Sequence, residues 1–217
     1  MSLNKENNYL VINEAFDPKI IDFVYKYFLM KRRVAKHMFE TKFISPFTEE
    51  WGYWGDDMVK NTYSHYADIV METILQEARL VLEKKTKLKL IPTYSYARIY
   101  KHGDILKRHK DRPSCEVSAT LNLGGDPWPI FLEPDSTKGK DTKDGYISEY
   151  TEGVKIVLKP GDALIYKGCD VEHWRDPFEG ENCGQVFLHY NDASHKEATK
   201  NKYDGRPLLG LPSWYIR

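Results

Sequence analysis

Of the seven histidines, two stand two residues ahead of an aspartate, in His102-Gly103-Asp104 and His109-Lys110-Asp111. Alternate side chains of an extended strand point the same way. A His and an Asp so spaced can therefore reach one metal ion from one face, and a distant His can complete the set. Two imidazoles and one carboxylate on one side of an octahedral ion leave positions open on the other, an arrangement suited to non-haem Fe(II). The triplet by itself is weak evidence. Chance supplies one in roughly a third to a half of chains with this His content, so the choice between the two rests on what surrounds them.

The surrounding order is Tyr100-Lys101-His102-Gly103, then His109-Lys110-Asp111, then Ser118-Ala119-Thr120-Leu121, Gly124-Gly125, the run Gly161-Asp162 to Tyr166, and finally His173. From about Tyr94 to Tyr190 the chain resembles the 2-oxoglutarate/Fe(II) oxygenase superfamily, and within it the prolyl 4-hydroxylase-like group. In that group a Y-x-x-G segment precedes the HxD motif, with its tyrosine nine residues before the first His, as Tyr100 is before His109. The resemblance implies that His109, Asp111 and His173 are the metal ligands and catalytic residues. Gly103 becomes the turn glycine, and His102 and Asp104 become loop residues. His189, on a predicted strand pointing into the same barrel, is the rival third ligand.

The resemblance also implies Fe(II) as cofactor, 2-oxoglutarate and O2 as cosubstrates, ascorbate as an admissible accessory reductant, and release of succinate and CO2 as a C–H bond is oxidised. Related halogenases replace the carboxylate ligand with a small residue, so Asp111 favours hydroxylation.

One part of the family pattern is broken. Fold relatives hold the distal carboxylate of 2-oxoglutarate with an Arg or Lys roughly ten residues after the second His, because a buried carboxylate needs a charged partner. Here that stretch offers Cys183, Gly184 and Gln185. Arg175, two residues past His173, would share its strand face, and Arg98 stands in the same relation to Tyr100. Either could instead pair with a nearby acid such as Asp176 or Glu172. Gln185 can add a neutral hydrogen bond, and Tyr100 resembles the family tyrosine that donates to this carboxylate. The expected cosubstrate contacts are thus Tyr100, Arg175, Arg98 and Gln185.

These residues need a scaffold. Tyr9 to Ile12 reads as a strand, and Asp17-Pro18 as the cap and first position of a helix. That helix has an apolar face at Ile21, Val24, Tyr25 and Phe28 and ends in the basic Lys31-Arg32-Arg33. Phe43 to Trp54, around Pro46, Gly52 and Gly55, reads as an aromatic loop. It serves either as core packing or as part of a substrate wall. A long helix is expected from about Met58 to Lys85, capped by Asp56 or Asp57, with a stripe running from Tyr63 through Val81. After Pro92 come short strands at Thr93–Tyr100, Glu116–Leu123, Trp128–Leu132, Val154–Leu158, Ala163–Tyr166 and Gln185–Tyr190. Between them, 134–152 reads as an exposed loop whose charges are solvated. The expectation is an α+β fold: a double-stranded β-helix, or jelly-roll, cupin-like barrel, buttressed by N-terminal helices. One domain spans 1–217, with helices in about 1–90, the barrel in about 91–195 and a tail from 196.

Composition narrows the partners. Lys plus Arg and Asp plus Glu are 32 each, so the broad positive field of a nucleic-acid or anionic-membrane binder is missing, and an AlkB-like demethylase is disfavoured. The expected substrate is a small molecule, an amino acid or a peptide. A cupin-like protein that binds metal and ligand, or senses oxygen, without turnover is the competing reading. Three cysteines with no CxxC pair argue against a disulfide framework. The N-terminus lacks the apolar stretch of a secretory signal, and no apolar run reaches the roughly 20 residues of a membrane span. A soluble, cytoplasmic protein is expected.

Overall fold

Strict alternation organises the second half of the chain. In the computed structural model, which describes residues 3, 8–45 and 47–215, strands β1 (Tyr9–Ile12), β2 (Tyr63–Tyr66), β3 (Leu90–Lys101), β5 (Val117–Gly125), β10 (Ala163–Lys167) and β12 (Asn182–Asp192) make one antiparallel sheet, ordered β1-β10-β5-β12-β3-β2. A second sheet, ordered β4-β11-β6-β9, is built from β4 (Leu106–His109), β6 (Ile130–Leu132), β9 (Val154–Ile156) and β11 (His173–Arg175). A hairpin of β7 (Lys140–Thr142) and β8 (Gly145–Ile147) stands apart.

One face of the large sheet is apolar. Ala97 and Ile99 of β3, Ala119 and Leu121 of β5, and Val186 and Leu188 of β12 pack under helices α1 (Pro18–Glu40) and α2 (Ile69–Thr86) in one core cluster. α1 contributes Ile21, Val24, Phe28 and Ala35, and α2 contributes Met71, Leu75 and Leu82. Because the period of a strand is two, the residues between these sheet positions face the other sheet: Tyr94, Tyr96, Arg98 and Tyr100 on β3, and Gln185, Phe187 and His189 on β12. The fold is the expected α+β jelly roll with helices on one flank. A short helix α3 (Ala198–Asn201) and a 3-10 turn at Lys202–Gly205 follow the last strand. Among the described residues no helix is long and apolar enough to cross a membrane.

Four local expectations change. α1 does not stop at Lys31-Arg32-Arg33 but continues to Glu40, since Ala35 is buried and extends the apolar face. The second helix begins at Ile69, because Asp68 and not Asp56 or Asp57 caps it: Asp68 Oδ1 accepts from the backbone N–H of Val70 and Met71 at 3.0 and 3.1 Å. Tyr63 belongs instead to β2, paired with Ile99 of β3. Segment 134–152 is not simply solvated, as it contains the β7–β8 hairpin. In the aromatic loop Phe43 and Phe47 are 80% and 90% exposed, while Trp54 packs on Phe39 and Tyr63. Pro46 and residues 1–2, 4–7 and 216–217 lie outside the described residues.

Candidate active site

β4 and β11 are hydrogen-bonded neighbours with His109 directly opposite His173. Asp111 follows β4 by two residues. One ligand atom from each of His109, Asp111 and His173 falls within 4.8 Å of the others. Asp111 Oδ1 is 3.7 Å from His109 Nε2 and 3.5 Å from His173 Nε2. The Nδ1 atoms contact backbone carbonyls, at 2.7 Å to Lys107 O for His109 and 3.1 Å to Val171 O for His173. A carbonyl only accepts, so each Nδ1 carries the proton and each Nε2 lone pair faces the common centre.

The protonation states suit a cation. Burial, and next the neighbouring His173, push His109 down to about 4, so its imidazole is neutral at neutral pH. Burial alone would raise the Asp111 carboxyl, but His173, His189 and His109 outweigh it and hold it well below the usual carboxylate range. Ser118 Oγ lies 2.7 Å from Asp111 Oδ2 and 2.9 Å from His189 Nδ1. A hydroxyl has one proton. When Ser118 donates it to Asp111, Nδ1 of His189 must donate to Ser118. Gly168 closes the same corner: its carbonyl accepts from the Asp111 N–H at 2.8 Å, and a Cβ there would sit 2.4 Å from Asp111 Oδ2.

His189 therefore reaches the site but turns to Ser118, outside the three-residue cluster. His102 is exposed, with Nδ1 against Glu179 O at 3.1 Å. Asp104 is buried and accepts from Thr62 Oγ1 at 2.7 Å and from the Lys101 N–H at 2.9 Å. Gly103 takes the left-handed φ of +82° that its turn needs. Of the two HxD triplets, the structure gathers only the second with His173.

Between the sheets lies a cavity of about 190 Å³, lined by His109, Asp111 and His173 together with Tyr94, Tyr96, Arg98, Leu106 and Phe187. The aromatic loop does not reach it. Asp56 and Met58, just beyond that loop, do.

The two candidate arginines differ. Arg98 already has an acid: Asp56 Oδ2 is 2.8 Å from its Nη2, Ser64 Oγ accepts from Nε at 3.0 Å, and its guanidinium stands over the Tyr96 and Tyr100 rings. Arg175 is 1% exposed, donates to the Trp128 carbonyl and stacks on the Trp128 ring. Among the described residues its Nε has no partner. Neither Asp176 nor Glu172 pairs with it: its side-chain contacts are to Trp128, and Glu172 binds Arg108 at 2.8 Å. Burial without an adjacent acid pushes the Arg175 guanidinium below its ordinary value. Gln185, also buried, donates to Cys183 Sγ at 3.2 Å and leaves Oε1 unpartnered. The Tyr100 hydroxyl lies in the field of both guanidiniums.

Sequence reading missed several contributors. Ser118 stands in the S-x-T-L strand and Gly168 two residues after Tyr166, and nothing in the sequence ties either to Asp111. Counting by two from Tyr100 and His189 would have found Tyr96, Tyr94 and Phe187. Nothing local marks Asp56.

No family profile matches the chain, and no curated protein matches it by sequence. Its fold has solved counterparts. A Pseudomonas putida prolyl-4-hydroxylase superposes with a TM-score of 0.57 at 13% identity, covering 87% of this chain and 94% of its own. The epimerase SnoN from nogalamycin biosynthesis, solved with Fe3+, alpha ketoglutarate and nogalamycin RO, gives 0.62 at 13% identity, with 88% and 81% covered. HygX from Streptomyces hygroscopicus, with nickel and 2-oxoglutarate bound, gives 0.58 at 12% identity, with 88% and 85% covered. The fold is that of the 2-oxoglutarate/Fe(II) oxygenases. A prolyl-4-hydroxylase is among the solved structures with this fold.

Proposed function

We propose that this chain is an Fe(II)- and 2-oxoglutarate-dependent dioxygenase that hydroxylates an unactivated C–H bond of an amino acid, peptide or other small molecule. The observation that carries this reading is the convergence of two Nδ1-protonated imidazoles and one ionised carboxylate, with a buried, acid-free arginine two residues along from one of the imidazoles. Nε2 of His109, Nε2 of His173 and Asp111 Oδ1 would hold the iron. A dianionic 2-oxo acid supplies the missing partner of Arg175, with the Tyr100 hydroxyl and Gln185 alongside.

Iron with 2-oxoglutarate and O2 supplies the oxidation, leaving succinate and CO2. The chain's own residues do the rest. Ser118 and Gly168 hold the Asp111 carboxylate in place, and His189 holds Ser118. The aromatic walls at Tyr94, Tyr96 and Phe187 orient a substrate and limit water around the reacting carbon. Arg98 and Asp56 neutralise each other where they line the cavity, so an uncharged or zwitterionic group fits there better than a single net charge. The reading takes the chain as one catalytic unit, with residues 91–195 at its centre.

The test is consumption of 2-oxoglutarate with Fe(II) and ascorbate, first alone and then in the presence of free amino acids and peptides. Succinate formation that a candidate substrate stimulates is the expected result. An iron-loaded protein that neither binds nor decarboxylates 2-oxoglutarate would favour the non-catalytic, cupin-like reading.

A further inference from the structure

Two three-residue runs repeat one arrangement on paired strands: Lys107-Arg108-His109 on β4, and Val171-Glu172-His173 leading into β11. In each, the histidine Nδ1 donates to the carbonyl two residues back. The residue between must then point to the opposite face of the sheet. Those intervening residues meet there, with Arg108 Nη1 2.8 Å from Glu172 Oε1. The strand register also slips: His173 faces His109 while Arg175 faces Leu106, so β4 carries one extra residue over this interval. That is a β-bulge, a device that re-aims a side chain. The carbonyl that fixes His109, that of Lys107, lies within it.

Segment 134–152 converges on this pair. Glu172, whose side chain is 2% exposed, accepts from Ser148 Oγ at 2.9 Å and from the Tyr146 hydroxyl at 2.7 Å. Arg108 donates to Thr151 O at 2.7 Å and lies 3.4 Å above the Trp174 ring. Lys110, between the other two ligands, donates to Ser136 O and Gly139 O at 3.0 and 2.9 Å. Gly139 has φ +66°, and a Cβ there would strike the Tyr146 hydroxyl at 2.0 Å. A loop with merely solvated charges would not place so many polar groups on one ion pair whose carboxylate is buried.

We propose that Arg108 and Glu172 are positioning residues for the metal site and that segment 134–152, with its β7–β8 hairpin, is the clamp that holds them. This rests on the iron reading above. An ion pair with one partner buried and the other partly exposed adds little net stability. Its contribution here is geometric: it fixes the bulge, the bulge presents the Lys107 carbonyl, and that carbonyl sets the tautomer and tilt of His109.

Two readouts test it on the full chain. Nitrogen-15 NMR of histidine-labelled, metal-free protein reads the tautomers, and anaerobic titration reads Fe(II) affinity. Arg108→Gln and Glu172→Gln should each weaken Fe(II) binding about 10- to 100-fold, as loss of an outer-shell partner does, and should mix the tautomers of His109. The double variant should bind about as well as the worse single, because the pair acts as a unit. Lys138→Gln, which breaks the exposed Lys138–Glu149 pair on the same segment, should leave both readouts unchanged. Should Glu172→Gln not fold, Tyr146→Phe and Ser148→Ala each remove one hydrogen bond to the same carboxylate, and each should weaken Fe(II) binding by about 3- to 10-fold. Folded variants with wild-type affinity and tautomers, or losses that simply add, overturn the proposal. A wild type that binds no Fe(II) overturns the iron reading instead, and the tautomers still decide the positioning role.

Discussion

Two buried arginines sit two residues from a site residue, Arg98 before Tyr100 on β3 and Arg175 after His173 on β11, and they are in opposite electrostatic conditions. Arg98 is 4% exposed and meets an aspartate, a serine and two tyrosines. Arg175 is 1% exposed and meets one carbonyl and one ring, with Nε unpartnered. Removing a guanidinium from water is costly unless an anion answers it. The cavity wall with Arg98 is therefore complete in itself, whereas Arg175, buried behind the residues that line the cavity, has no anion beside it. Alternation alone ranks the two arginines equally. Their partners separate them.

The largest effect that would break this contrast is at Arg175. Arg175→Gln should lower 2-oxoglutarate affinity by about 100-fold, the roughly 3 kcal/mol associated with losing one partner of a buried charged pair, while Fe(II) still binds; isothermal titration of both ligands reads this. A large loss in Arg98→Gln, with Arg175→Gln unaffected, would exchange the two roles. On the wall the expectation is stability instead. Arg98→Gln strands a mostly buried Asp56 and should destabilise by about 2 kcal/mol, or roughly 4–8 °C in Tm for a chain of this size, with 2-oxoglutarate affinity within about 3-fold of wild type. Gln185→Leu tests the neutral contact and should weaken 2-oxoglutarate by about 5-fold, near 1 kcal/mol.

The smallest effect is on pH dependence. Burial would raise Asp56, but Arg98 and the Tyr96 hydroxyl outweigh it and lower its carboxyl. A depressed carboxyl contributes stability that is complete above the ordinary Asp value of about 3.9 and is lost as pH falls through the folded-state value below it. Asp56→Asn should thus lose less stability than wild type in urea melts between about pH 5 and pH 2. Equal slopes would mean that Asp56 and Arg98 are not coupled.

What could be read in advance follows the range of the interactions. The candidate His109, Asp111 and His173 cluster is legible because Tyr100, Gly103 and His109 form a local register and the Gly161-Asp162 to Tyr166 run leads to His173. The start of α2 was not legible, since Tyr63 to Tyr66 suits either a helical stripe or a strand, and pairing with β3 decides. The far end of α1 was hidden by Lys31-Arg32-Arg33, which reads as a stop although Ala35 continues the buried face. Ser118 against Asp111, Asp56 against Arg98 and Glu172 against Arg108 are contacts between distant parts of the chain. No local pattern encodes such partners, so a loop rich in Lys and Asp at 134–152 reads in the sequence as merely solvated.

The most direct test of the central claim is an anaerobic titration of the protein with Fe(II) and then 2-oxoglutarate, followed by the visible charge-transfer absorption of an iron–2-oxo acid chelate. The account predicts one equivalent of each, with the signal abolished in His109→Ala and Asp111→Ala and retained in His102→Ala. Stoichiometric iron with no chelate absorption, or equal loss in His102→Ala, would contradict it.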